Sequence, residues 1–382
     1  MELSPDWTMF LIQTSTGKIG PQVEAEATTW DISLNGIEAL TTTLHKSSLP
    51  TGLDLDNWLA PWWSGILLMW RGYPIFAGPL LSRPQETATT IQLACSGIRA
   101  VFTARFVTQE FPNWDALAGS ELYWNKMSLG TIAKNVVKAS MQKIGGSLPI
   151  AFPIPDEIFV GSSNTHERHY EGFDIANLNT DAVLTKLSEV AGGPDIMFRP
   201  RLIDASQLVW DMYHGTENFP RIGQQYMHVW DTQPVAGQVS DLSIVSTGSY
   251  MVNRVYSIGS GSDKGTLITV SEDFTNVRQG MPLLESAIAV SQSPDPVVVK
   301  AHGDGVLQSN LDMLREITLN VRIDGRDPLN TFFAGDVMDI YTKGWLTFKD
   351  GHHRCRLLHV QGDLASPATV RLSLQPEYYI AS

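Results

Sequence analysis

Two histidine groups are the first candidates for chemistry. His166-Glu167-Arg168-His169 sets two imidazoles three residues apart, and His352-His353 lies close to Cys355 and His359. On an extended strand His353, Cys355 and His359 share one face, which would aim three zinc-type donors the same way. A zinc site, however, needs three or four converging ligands, and the chain has no CxxC and no second ligand pair at close spacing. No metal and no cofactor is expected. Asp156-Glu157 and Glu272-Asp273 are acid pairs of the kind glycosidases use, but nothing in their spacing fixes the separation such chemistry demands. They read as solvated loops. GxSxG, HExxH, GxxxxGK[ST] and GxGxxG are all missing, and Gly259-Ser260-Gly261 and Gly303-Asp304-Gly305 read as turns. No catalytic residue is therefore assigned.

The elements behind these residues are mainly β. Ile91, Leu93 and Cys95 alternate with polar neighbours, as do Ile317, Leu319, Val321 and Ile323, and again Val370, Leu372 and Leu374. Such alternation marks half-buried strands. Gly259–Asp263 reads as a hairpin loop, and a short helix carrying Leu307, Leu311 and Leu314 is expected before the strand at 317. Between the β-rich ends the period changes. Leu129, Ile132, Ala133, Val136, Val137, Ser140, Met141 and Ile144 trace one helical face over 128–144, with Ser128 as N-cap and Gly145-Gly146 as stop. Lys134 and Lys138 fall on the face expected to meet solvent. A second helix is predicted over 180–191, ended by Gly192-Gly193-Pro194, and two strands follow at 195–202 and 207–212.

The expected division is a β-rich region 1–105, an α+β region 106–235 and a β-rich region 236–382 divisible into two small domains. The 382 residues are 43% hydrophobic and 18% charged, enough apolar material for several cores. Twenty-seven basic against 40 acidic residues give a net charge of -13, which argues against a protein that grips nucleic-acid phosphates. Two cysteines make no disulfide framework, and the acidic start Met1–Asp6 lacks the pattern of a secretory signal, so a reducing compartment is expected. The run Trp58–Trp70, broken by Pro61 and Ser64, is too short to span a bilayer.

Tryptophan is concentrated early: Trp7, Trp30, Trp58, Trp62, Trp63, Trp70, Trp114 and Trp124 are eight of the chain's 11. Most are expected to fill β cores. Trp62 and Trp63, as neighbours on a strand, would face opposite sides, so at least one should meet another domain or subunit. The run holding Trp58, Trp62, Trp63 and Trp70 is more apolar than a small β domain can bury alone, which makes it the candidate subunit interface.

The middle third goes further. The stretch Gly193-Pro194-Asp195-Ile196-Met197-Phe198-Arg199-Pro200-Arg201, the following strand with Trp210 and the turn His214-Gly215-Thr216 resemble the minor tail proteins of long-tailed phages that infect actinobacteria. The order Trp30–Asn35, Gly72–Pro79, Cys95–Ile98, Arg99–Arg105 is similar to tail hub proteins generally, including baseplate hubs of contractile phages. Gly335-Asp336-Val337-Met338-Asp339-Ile340 resembles the entry to the last β domain of such hubs. The resemblance implies an α+β, β-rich fold with two tail-tube-like β-barrel regions flanking the middle region. It also implies a non-enzymatic virion protein at the phage tail tip, made in the host cytoplasm. A homotrimeric ring would there join the tail tube or distal tail protein to other tip proteins, with DNA only passing through an acidic lumen. Gly193, Pro194, Asp195, Phe198, Arg199, Pro200, Arg201 and Trp210 would be scaffold residues. The alternative is a tail-tip cell-wall hydrolase or a carbohydrate-binding receptor protein.

Overall fold

A computed structural model of the protein describes residues 6–110, 116–161, 166–223, 228–232, 237–290 and 293–377. Trp114 lies outside the described residues. The architecture is α+β and β-rich, dominated by one large, mostly antiparallel sheet. From one edge to the other its strands run Val239–Thr247, Leu314–Arg322, Thr369–Pro376, Gly351–Asp363, Ala25–Ser33, Ala39–His45, Thr90–Ser96, Tyr73–Glu86, Ser64–Trp70, Trp7–Gln13 and Ile19–Val23. The strand Val337–Thr342 joins beside Gly351–Asp363 and carries His228–Asp231 in parallel.

The two β-rich ends of the chain thus share a single sheet. Their seam is the antiparallel register of His359–Asp363 against Thr29–Ser33, extended by Leu34 N–H to Leu358 O at 2.8 Å and Leu364 N–H to Thr28 O at 2.9 Å. Among the described residues the strand path is open. Two closed barrels, one from each end, were expected, and the sheet instead continues from one end of the sequence into the other.

The apolar run before Trp70 is buried by the chain itself. All seven residues of the strand Ser64–Trp70 are buried. Ile66, Leu68 and Trp70 enter the core under the large sheet, whereas Leu67 and Met69 face a second core beneath the middle region. A strand covered on both faces is continuously apolar, which accounts for the run without a second chain. Of the candidate interface residues Trp58, Trp62, Trp63 and Trp70, the chain itself thus buries Trp70 and half-buries Trp58, and leaves Trp62 and Trp63 exposed.

The middle region supplies the cover. Its helix Leu129–Met141 is capped by Ser128, whose Oγ accepts the Thr131 N–H at 3.2 Å. Its helix Thr180–Glu189 is capped by Asn179, whose Oδ1 accepts the Ala182 N–H at 3.1 Å. Gly192, at φ 72°, turns the chain out of this second helix in the left-handed conformation that glycine tolerates. Both helices pack with the hairpin Ile196–Asp204 and Gln207–His214 onto the reverse side of the N-terminal strands.

Two details of the first helix differ from its periodicity. Lys134 is buried, not solvated: its Nζ donates to Ile154 O at 2.6 Å and pairs with Asp156. The segment after the helix lies across the expected outer face, and the long lysine stem runs beneath it. Ile144 is past the helix end and almost fully exposed. Lys138 sits over the Phe152 ring at 5.2 Å.

A smaller unit is inserted in the C-terminal region. Arg254–Ile258 and Ile268–Glu272 form the predicted hairpin around Gly259–Asp263, and Glu285–Ala289 pairs in parallel. The helix here is Pro296–Asn310, longer and earlier than expected, and Leu314 already opens the next strand. Asp295 caps it with Pro296 in the first turn, a start signal in plain sight.

Candidate functional site

The residues singled out at 193–201 form a junction rather than a catalytic pocket. Asp195, 5% exposed, is the knot. Its carboxylate accepts from Asn35 Nδ2 at 2.9 Å and from the Ile222 N–H at 2.9 Å, and it forms an ion pair with Arg356. Asn35 closes the ring by accepting the Ile196 N–H on Oδ1 at 2.7 Å. One carboxylate thereby ties the N-terminal β region, the middle hairpin and the strand Gly351–Asp363 together. The buried Arg99 repeats the pattern: it donates to Asp181 Oδ1 at 2.6 Å, Asn35 O at 2.6 Å and Thr185 Oγ1 at 2.9 Å. Burying such charges is tolerable because each is paired with an opposite charge and hydrogen-bonded.

The rest of the stretch packs around this knot. Pro194 is buried and Gly193 follows the helix end. Phe198 stacks on Phe102 at 5.5 Å in the second core. Trp210, 1% exposed, donates its indole N–H to Ala77 O at 3.0 Å, fixing the hairpin to the strand Tyr73–Glu86. The Arg199 guanidinium lies between the Tyr213 and Phe333 rings, 5.2 and 4.6 Å from their centres, and donates to Ala334 O at 3.1 Å. Burial lowers its pKa. Pro200 is half-buried, and Arg201 makes a two-pronged surface pair with Asp211 at 2.6 and 3.0 Å. Asp336, in the Gly335-Asp336 turn, accepts the Phe333 N–H at 2.7 Å, and burial pushes its carboxyl up to about 6.

The histidine candidates separate in space. The strand Gly351–Asp363 carries a bulge between Leu357 and His359. The bulge keeps Cys355, Leu357 and Val360 on the buried side and turns His359 outward onto Asp31 at 3.4 Å. His353 and Cys355 therefore do not share a face with His359. His353 stacks on Phe348 at 4.0 Å, and His352 bonds Asp339 at 2.7 Å. His166 pairs with Glu217 and His169 with Glu121 on an exposed ribbon. Among the described residues no group of three or more His, Cys, Asp or Glu is placed to hold a metal ion. No helix among them is long and apolar enough to cross a membrane.

The tryptophans divide sharply. Trp7, Trp30 and Trp70 are core; Trp58 and Trp124 are partly buried. Trp62 and Trp63 are 46% and 60% exposed. They sit in the turn ahead of the strand Ser64–Trp70, not on it, so strand alternation does not govern their direction. The backbone there is clamped, with Trp62 N–H to Leu80 O at 2.7 Å and Thr14 N–H to Trp63 O at 3.0 Å. Trp62 is held at φ 66°, a costly conformation for a bulky side chain that persists only where surroundings enforce it.

Asn35, Glu38 and Arg356 had no assigned role in the sequence reading. Asn35-Gly36 was the available signal, because that dipeptide favours a turn with positive φ, and Asn35 has φ 57°.

Neither a family model nor a curated protein sequence matches the chain. Solved structures do. The fold is similar to that of a tail protein from Neisseria meningitidis MC58, with 12% identity, a TM-score of 0.57, and 97% of this chain and 96% of that chain covered. The 43 kDa tail protein of prophage MuSo2 from Shewanella oneidensis matches at 10% identity and a TM-score of 0.57, covering 96% and 98%. A prophage tail protein from Listeria monocytogenes EGD-e matches at 10% identity and a TM-score of 0.52, covering 96% and 94%. At these identities the shared property is the fold, and it extends end to end: this chain has the fold of phage-type tail proteins.

Proposed function

We propose that the chain is a non-enzymatic structural component of a phage tail tip, a hub or adjacent minor tail protein. In this reading it assembles as a homotrimeric ring that continues the tail tube, anchors tip proteins and leaves a passage for the genome. The observation that carries the reading is the coverage. The likeness to the Neisseria tail protein takes in 97% of this chain and 96% of that one, so the shared fold spans nearly the whole of both. The assignment to long-tailed phages of actinobacteria rests on the middle third, on the Gly193–Arg201 stretch, the strand with Trp210 and the turn His214-Gly215-Thr216.

The knitted interior supports a scaffold role. A buried charge pair such as Asp195–Arg356 at a seam between regions suits a part that must hold its shape. For the subunit contact the candidate narrows to Trp62 and Trp63, since Trp70 is consumed by the chain's own core and Trp58 leans against it. Exposed adjacent tryptophans on a clamped turn suit an interface anchor, where Trp carries large binding energy. The test is mass in solution, with and without the tube protein. A species of three times the 42.2 kDa chain is expected, and the Trp62→Ser/Trp63→Ser double variant should remain folded but monomeric. A wild-type chain that stays monomeric with tube protein present, and digests peptidoglycan, would favour the hydrolase instead.

A further inference from the structure

Beside the Arg199–Ala334 contact lies a cavity of about 60 Å³, walled among others by Glu38, Trp30, Arg199, Phe76, Phe332 and Ala334. It sits where the N-terminal strands, the middle hairpin and the loop before Val337–Thr342 converge. Glu38 is 6% exposed, and its Oε2 has no hydrogen-bond partner among the described residues. The Trp30 indole N–H, 3% exposed, has none either. The cation whose field reaches Glu38, Arg99, spends its donors on Asp181, Asn35 O and Thr185. Arg199 is committed to Ala334 O and two aromatic rings. The site thus combines space with underused polar groups. An internal water needs on the order of 10–15 Å³ of such volume and two to four polar partners. The cavity is roomy enough for a small cluster.

We propose that this cavity is an internal water site whose main ligand is a neutral, protonated Glu38 carboxyl, and that loss of the proton loosens the junction around it. Gly97 belongs to the site. A Cβ there would fall 1.7 Å from Glu38 Oε2, so only glycine lets the carboxyl keep its position. The charged groups facing Glu38 are Arg99 from the turn after Thr90–Ser96, Asp31 from Ala25–Ser33, and Arg199 across the cavity. Burial dominates over the favourable field of Arg99 and pushes the carboxyl up to about 7. The inference concerns the isolated chain and stands whether or not the protein assembles into a tail.

The sign follows from linkage. A carboxyl raised from its ordinary 4.5 to about 7 stabilises the fold fully below pH 4.5, and that contribution is lost as pH rises through 7. Glu38→Gln keeps the shape and the hydrogen-bonding capacity without the proton. The expected result is a wild-type Tm close to that of Glu38→Gln at pH 5 and about 5 °C or more below it at pH 8. A Tm difference that stays constant from pH 5 to pH 8 overturns the proposal. Should the variant not fold, wild-type protein labelled with 13C-glutamate decides the matter. An infrared band of a protonated glutamic acid at pH 6 that fades by pH 8 supports the proposal, and its absence at pH 6 refutes it. A high-resolution map should show ordered water within hydrogen-bond reach of Oε2; a dry cavity contradicts the inference.

Discussion

At the scale of single residues, Asp195 is the most consequential side chain outside the apolar core. It collects one amide, one backbone N–H and one guanidinium from three separate parts of the chain. Removing it strands Arg356, whose side chain is 12% exposed, in a poorly solvated site. Asp195→Ala should therefore cost about 3–5 kcal/mol in urea unfolding, whereas Asp195→Ala/Arg356→Ala should cost clearly less than the two single changes added together. Additive losses would mean that the pair is not coupled. This role was only half legible in the sequence. The stretch around Asp195 stood out, but its partners lie 160 and 161 positions away, and no local pattern connects residues that distant. The outward turn of His359 was hidden for a different reason, because a bulge leaves no mark on simple alternation.

At the scale of elements, periodicity worked where an element has one dry face. The helix Leu129–Met141 and the strands Thr90–Ser96, Leu314–Arg322 and Thr369–Pro376 lie where alternation or helical spacing put them. It failed where both faces are covered. Ser64–Trp70 looked like surplus apolar surface because one strand serves two cores, and Lys134 looked solvated because a later loop covers it. Two substitutions probe this packing. Val136 is 0% exposed, so Val136→Asp places an unpaired carboxylate in the second core at a cost of several kcal/mol, and thermal melts should show a loss of roughly 10 °C or more, or no folded protein. Lys134→Ala leaves Ile154 O and Asp156 without their donor and should cost about 1–3 kcal/mol. A melt unchanged from wild type in either variant would show that the helix is not enclosed as described.

At the scale of the whole molecule, the arrangement is one open sheet shared by both ends of the chain, with an α+β unit pressed against its N-terminal half. The β-rich α+β character was readable from the sequence, but the seam between Thr29–Ser33 and His359–Asp363 was not, since strand partners so far apart in sequence are set by topology rather than by pattern. The Trp62–Trp63 turn sets two adjacent tryptophans, 46% and 60% exposed, on this surface. Trp62→Ser/Trp63→Ser should accordingly leave the Tm within a few degrees of wild type, while particles made with it lack infectious tails. The central claim is that the chain is a structural part of a tail tip, and a cryo-EM reconstruction of the tail tip of the particle that carries it tests this most directly. The account predicts three copies of the chain in a ring around an open axial passage, with Trp62 and Trp63 at a contact with a neighbouring chain. A particle whose tip lacks the chain, or holds it as an isolated monomer outside any ring, would contradict it.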